Sequence, residues 1–269
     1  MLEITSLQNP KLKKAQKLTE RRERNETGLF LIEGYRELKR AFEGKVEIQT
    51  LFICPELFLG SNEQALINQI DRSGAEIFTC SSSVFHKLSY RDRPDGLVAV
   101  AKQMQRQLRD ISFRDTPFLI IAEAIEKPGN LGTILRSADA AGVDGVIVCD
   151  RCTDIYNPNV VRASVGTLFT LPVVEATTEE TLLWLKEKQI QIAAATPSAQ
   201  EEFTDADFKG AIAVAVGTEQ LGLSDLWMQE AAIRVRIPMH GVADSLNVAT
   251  ATTLLLYEAV RQRACHLLR

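Results

Sequence analysis

Residues Ile237 to Glu258 read IPMHGVADSLNVATATTLLLYE, and the order of residue types in this stretch decides the fold class. An apolar strand, expected to be buried in a sheet, runs into a polar turn punctuated by Gly241 and Asp244. The turn opens a long apolar helix that Ser245 or Asn247 can cap with a side-chain oxygen. Taken alone, this is what a capped, buried helix requires, since Ser and Asn near a helix start need no catalytic reason. Two other segments repeat the grammar. The apolar run Phe118 to Ala124 leads into EKPGNLGTILRSADAAG (126 to 142), where a Pro-Gly-Asn turn precedes a helix. Ile134, Leu135 and Ala138 recur there at helical spacing, which sets Arg136 among residues of a packing surface. AIAVAVGTEQLGL (211 to 223) is an apolar strand opening into a Gly-rich loop that carries Glu219. Strand, glycine turn and helix form the general ligand-binding geometry of open α/β sheets.

Working outward, the pattern divides the chain. A basic helix at the front is followed by strands at 29 to 33, 46 to 53, 76 to 80 and 96 to 103, with helices between them, which indicates a small α/β layer domain over 1–103. MQRQLRDISFRDT, 104 to 116, has no apolar face of strand spacing and reads as a linker. From 117 to 269 nearly continuous apolar strands alternate with helices, one of them near Asn159 to Val165, as in a parallel sheet covered on both faces.

The 269 residues, 45% of them hydrophobic, allow real cores in both parts. No apolar run is long and charge-free enough for a membrane span, and the basic N-terminus lacks a signal peptide's apolar stretch, so a cytoplasmic location is expected. Five scattered cysteines (Cys54, Cys80, Cys149, Cys152, Cys265) suit reduced thiols. Cys149 and Cys152 form a C-x-x-C, but no second cysteine pair or closely spaced histidine completes a ligand set, so no metal is expected and Cys149 reads as a small core residue. Net charge is −4, yet residues 1 to 109 hold 18 basic against 14 acidic side chains and the remainder 13 against 21. Any contact with a polyanion such as a nucleic acid must therefore be local. Lys11, Lys13, Lys14, Lys17, Arg21 and Arg22 on the leading helix are its candidates, with a solvated helix face as the alternative.

Together and in this order, the three segments resemble the motifs of the SpoU (TrmH-like) family of RNA ribose 2'-O-methyltransferases, within the SPOUT superfamily. Asn130, Gly132, Ile134 and Arg136 fit the first motif, and Gly217, Glu219 and Gly222 the second. Pro238, Met239, Gly241, Ser245, Leu246, Asn247 and Val248 fit the third. The likeness spans roughly 118 to 263. A weaker one, on SLQNPKLKKAQKL and FLIEGYRELKRA, points to the substrate-binding domain often joined to such enzymes, with a ribosomal-protein-like α/β fold. The resemblance implies a C-terminal trefoil knot, a homodimer and S-adenosylmethionine as cofactor. The substrate it implies is RNA, with large-subunit (23S) ribosomal RNA preferred and transfer RNA second.

The same resemblance implies a cofactor slot around Gly217, Ile237, Leu246, Thr196 and Met239, with glycine at 217 because the cofactor approaches main chain there. It gives Arg136 the contact with the target nucleotide and activation of the 2'-hydroxyl, and leaves open whether that arginine faces the cofactor of its own subunit or of the partner. Asn130 would orient Arg136 or the substrate phosphate, and Ser245 and Asn247 would hold the loop and the reacting ribose. Glu219 would position Arg136, join the proton path or form a loop-ordering ion pair. A guanidinium stays protonated, so phosphate binding and stabilisation of an alkoxide suit Arg136 better than proton abstraction. His240, beside the third motif, is a candidate base or a rim contact. Val248, Ala251, Leu254, Leu255 and Ala259 give the last helix an apolar stripe for a dimer interface or for its own sheet, and Trp184 and Trp227 read as core or interface residues. A non-catalytic RNA-binding factor on the same fold stays open, whereas a nucleotide-dependent oxidoreductase lacks the required G-x-G-x-x-G.

Overall fold

The computed structural model describes residues 2–267, with side chains through residue 264; Cys265 and His266 lie outside the described side chains. The chain separates into two compact units, one of residues 1–104 and 154–170 and one of 105–153 and 171–269.

The first unit starts with a short strand, β1 (Leu2–Ile4), that the sequence pattern did not announce, followed by α1 (Pro10–Lys17) and α2 (Arg21–Thr27). The expected single basic helix is thus two. Asn9 Oδ1 accepts the Lys11 amide at 2.9 Å to cap α1, with Pro10 at its first position, and the chain breaks at Leu18 before α2 begins. Then follow β2 (Leu29–Glu33), α3 (Tyr35–Glu43), β3 (Ile48–Ile53), α4 (Glu63–Arg72), β4 (Glu76–Cys80), α5 (Ser82–Leu88) and β5 (Leu97–Lys102). The sheet has the order β1-β4-β3-β5-β2, parallel among β1, β4 and β3 and antiparallel at β5. Leu12, Ala15 and Leu18 bury the inner face of α1 against a cluster with Phe52, Phe85 and Val98, which leaves its lysines outside.

The second unit is built on β6 (Phe118–Glu123), α6 (Pro128–Ala141) and β7 (Gly145–Cys149). The expected Pro-Gly-Asn turn is already the first turn of α6, because Pro128 occupies a position whose amide has no helical partner. After β7 the chain contributes residues 154–170 to the first unit, including α7 (Pro158–Ala163) and α8 (Thr167–Thr170). The helix expected near 159 to 165 in the second domain therefore clusters elsewhere, and the reason is visible in its contacts. Arg24, 1% exposed, donates to Asp154 Oδ2 from Nε at 2.8 Å and from Nη2 at 2.7 Å, and to the Leu18 and Thr19 carbonyls. Arg40 donates to the Val165 carbonyl at 2.6 Å, where Val165 is held at φ +53°, a conformation costly for a β-branched residue.

The chain returns as β8 (Val173–Ala176), α9 (Thr178–Glu187), β9 (Gln191–Ala195), β10 (Glu201–Glu202), β11 (Ile212–Val216), α10 (Asp225–Glu230), β12 (Ile233–Arg236) and α11 (Val248–Leu267). All seven strands run parallel in the order β10-β12-β9-β11-β6-β7-β8. Strand order reverses between β6 and β11, which creates a switch point where the loops beyond the carboxyl ends diverge. Trp184 and Trp227 belong to this core, the latter donating from Nε1 to Thr178 Oγ1 at 3.1 Å, and Cys149 is buried with them. Residues 104 to 116 are not a free linker: Ile111 is buried and Leu108 and Phe113 pack on the same core, since three apolar side chains suffice to seat a segment without regular spacing. Among the described residues no helix is long and apolar enough to cross a membrane.

Arg24 and Asp154 form a buried pair, so removing one partner strands a charge. Arg24→Ala should lower stability in urea unfolding by about 3–5 kcal/mol; a loss under about 1 kcal/mol, the range of exposed pairs, would show that the pair does not fasten residues 154–170.

Candidate functional site

The loop after β11 sits beside the switch point and is closed on itself. Thr218 and Gly222 exchange backbone hydrogen bonds of 3.0 and 3.1 Å, and Gly222 takes φ +71°. A Cβ on Gly217 would lie 2.2 Å from the Gly222 carbonyl oxygen. Glycine at 217 is therefore demanded by chain meeting chain in this tight loop, a reason separate from the expected approach of a cofactor. The loop projects Glu219 from its tip.

Beyond β12 the chain does not continue as strand. Ile237 to Met239 leave the sheet half-exposed, because Pro238 has no amide to extend the ladder, and so the expected strand ends at Arg236. The loops after β9, β11 and β12 and the start of α11 enclose a cleft of about 500 Å³. Thr196, Gly217, Ile237, Met239 and Leu246 all line it, together with Asp244 and Ser245. Its volume and mixed lining, apolar side chains with exposed main chain and a few polar groups, fit a nucleoside-sized ligand. S-adenosylmethionine, when bound, supplies an electrophilic methyl on sulfur.

At one edge of this cleft the three sequence segments meet in a hydrogen-bonded cluster. Glu219 Oε1 accepts from Asn130 Nδ2 and from Asn247 Nδ2, both at 2.8 Å, while Oε2 accepts from Lys127 Nζ. Asn247 Nδ2 also reaches Asn130 Oδ1 at 3.1 Å. Its Oδ1 accepts the Ala249 and Thr250 amides at 3.0 and 3.4 Å, so Asn247, and not Ser245, caps α11. Lys127 and the two amides hold the Glu219 carboxyl below the usual carboxylate range, and Glu219 in turn raises Lys127. No motif position marked Lys127; the only sequence signal was its place directly before a helix-opening proline.

Other candidates stand apart. Arg136 is exposed on α6 and, among the described residues, has no ion-pair or hydrogen-bond partner. It is not part of a packing surface, because the buried face of α6 is carried by Leu131, Ile134, Leu135 and Ala138. Six residues beyond Asn130, it lies about 9 Å along the helix and about 240° around it. Within the chain Glu219 therefore bonds Asn130 and Asn247 and not Arg136, and Asn130 bonds Glu219 and Asn247 and not the arginine. His240 is exposed and does not line the cleft. Of the stripe on α11, Val248, Leu255 and Ala259 are buried, Ala251 faces the cleft, and Leu254, with Tyr257 beyond it, remains exposed. In the first unit Lys11, Lys13, Lys14, Lys17, Arg21 and Arg22 are all exposed, with Lys11 paired to Glu76 and Arg22 to Glu26. Arg24, in the same basic run, is buried as described. Among the described residues no three His, Cys, Asp or Glu side chains gather as a metal site.

Residues 117–257 match the model of the SpoU rRNA Methylase family, and residues 9–99 match that of the MRM3-like substrate binding domain. The chain is 33% identical over 256 residues, 91% of its length and 87% of the relative's, to a 23S rRNA uridine 2'-O-methyltransferase of Streptomyces viridochromogenes. It is 26% identical, over 96% of its length and 98% of the relative's, to a 23S rRNA guanosine 2'-O-methyltransferase of Bacillus subtilis. Among solved structures, the AdoMet-bound rRNA methyltransferase of Sinorhizobium meliloti superposes with a TM-score of 0.88 at 33% identity, covering 96% of this chain and 97% of that one. With the motif residues gathered at one cleft and a family model matching more than half its length, the chain belongs to the SpoU rRNA methylase family.

Proposed function

We propose that this protein transfers a methyl group from S-adenosylmethionine to a ribose 2'-hydroxyl of 23S ribosomal RNA in the cytoplasm. The observation that carries the reading is the meeting of Asn130, Glu219 and Asn247, one from each motif segment, at the edge of a cleft lined by Thr196, Gly217, Ile237, Met239 and Leu246. The relatives named above act on 23S ribosomal RNA, one on a uridine and one on a guanosine, which supports this RNA class and leaves the base undetermined.

The reaction needs an oriented hydroxyl, a site for its developing negative charge and exclusion of water. The cleft residues hold the methyl donor, and the amides of Asn130 and Asn247, fixed by Glu219, order the loops around the reacting ribose. Arg136 binds the nucleotide phosphate and stabilises the alkoxide with a guanidinium that stays protonated. Because Arg136 projects away from its own chain's cluster and lacks a partner there, it acts across a homodimer, on the cleft of the second subunit. Leu254 and Tyr257, exposed on α11, suit such an interface.

Labelled methyl transfer to ribosomal and transfer RNA from a strain lacking the gene tests the reading. Arg136→Ala should lose on the order of 10²–10³ in rate, as for removal of a charge-stabilising donor, with cofactor affinity unchanged. Equal rates for the variant and wild type would remove Arg136 from the chemistry, and incorporation into transfer RNA alone would reassign the substrate.

Mixing subunits carrying Arg136→Ala with subunits blocked at the cleft by Gly217→Leu should restore activity in the heterodimers, each of which holds one intact composite site. Absence of any regain would place both functions in one subunit.

Neutralising Lys11, Lys13, Lys14 and Lys17 together should weaken RNA binding and reduce the slope of log affinity against log salt by about three, given ~0.7–0.9 per phosphate contact, with cofactor affinity unchanged. An unaltered slope would place the RNA elsewhere.

A further inference from the structure

Glu219 touches the other two motif-bearing segments of the site and also Lys127, and the chemistry of its two oxygens is asymmetric. Oε1 accepts two neutral amide donors at 2.8 Å, from Asn130 and Asn247. Oε2 accepts the ammonium of Lys127. The amides themselves are fully committed: Asn247 Oδ1 caps α11 through Ala249, and Asn130 Oδ1 accepts from Asn247. Neither amide can flip without losing a hydrogen bond, so their orientation depends on where Glu219 holds Oε1.

Lys127 is also tied to this cluster through its main chain. It is the N-cap residue of α6, and its carbonyl accepts the amides of Asn130 at 3.0 Å and Leu131 at 3.2 Å. The loop that carries Glu219 is closed by its own backbone hydrogen bonds, so the side chain of Glu219 is its link to α6 and α11 in this cluster. A cation anchored at the first turn of α6 therefore fixes where this carboxylate points. The downward displacement of the Glu219 carboxyl, whose first cause is Lys127, agrees with that contact.

We propose that Lys127 is a positioning residue of the methyl-transfer reaction, holding Glu219 oriented so that Asn130 and Asn247 are set for the reacting ribose. The inference rests on the reading of this cluster as the reaction site. Lys127 is itself 66% exposed at its side chain, and exposed ion pairs contribute little to stability. Its effect must then be read in turnover and not in unfolding.

Three variants separate the possibilities: Lys127→Met, Lys127→Arg and Arg136→Ala, each measured for kcat, KM for RNA and S-adenosylmethionine affinity. Lys127→Met should keep wild-type cofactor affinity and KM within about twofold while kcat falls by roughly ten- to a hundredfold, the scale of a small misplacement of reacting groups. Lys127→Arg, which keeps the charge, should recover much of that loss. The side-chain amide resonances of Asn130 and Asn247 should shift in Lys127→Met and stay near wild type in Lys127→Arg. A raised KM with unchanged kcat would make Lys127 an RNA-binding residue and overturn the inference, as would wild-type kinetics with unmoved amide resonances. Wild-type protein that transfers no methyl to any RNA would overturn the reading of the site and this inference with it, whereas an inactive Arg136→Ala beside a fully active Lys127→Met would overturn this inference alone.

Discussion

The carboxylate of Glu219 is the point on which the site is assembled. It lies at the tip of a loop whose backbone closes on itself and whose first glycine tolerates no side chain, so the loop has one shape and aims one group. That group gathers donors from the start of α6 and from the cap of α11, which are 89 and 28 residues away in sequence. The parallel sheet makes this meeting possible. Strands β6 and β11 are neighbours, and α6, which follows β6, packs against α11, which follows β12. Without the carboxylate, two capped helices and a glycine turn would remain, which is structure without chemistry.

The site separates two demands that a transferase must meet. The cleft beyond β9, β11 and β12 is fitted by its apolar walls and exposed main chain to hold a nucleoside-like donor. The polar cluster at its edge is ordered before any substrate arrives, so little reorganisation is left for the reaction itself. Lys127 is the cation a single chain brings to the edge of the cleft. Arg136 is displaced around α6 from its own chain's cluster, and the proposal of a site shared between two subunits rests on this displacement.

Much of this was legible in the sequence because the strands of a covered parallel sheet are nearly continuous apolar runs, and because helix starts carry caps. FLIIAE, GVIVC and IAVAV declared β6, β7 and β11, and the sequence narrowed the cap of α11 to Ser245 or Asn247, of which the structure uses Asn247. The candidates for the cleft were located through the resemblance to known motifs, not through periodicity, and the threading implied for the chain came from the same source. What stayed illegible was whatever depends on contacts between distant residues. Lys127 precedes a helix like any surface lysine, and only the folded chain sets it against Glu219. Arg24 reads as one more charge in a basic run, yet burial against Asp154 takes it out of any RNA-facing surface. The assignment of residues 154–170 to the first unit follows from such contacts, and no local pattern announces it.

The most direct test of the central claim is to map alkali-resistant ribose linkages across the large-subunit ribosomal RNA of cells with and without this protein, restoring either the wild-type chain or Arg136→Ala. The account predicts one 2'-O-methylated nucleotide in 23S ribosomal RNA that disappears without the protein, returns with the wild type and does not return with the variant. A methylation map that is identical in all four strains would contradict it.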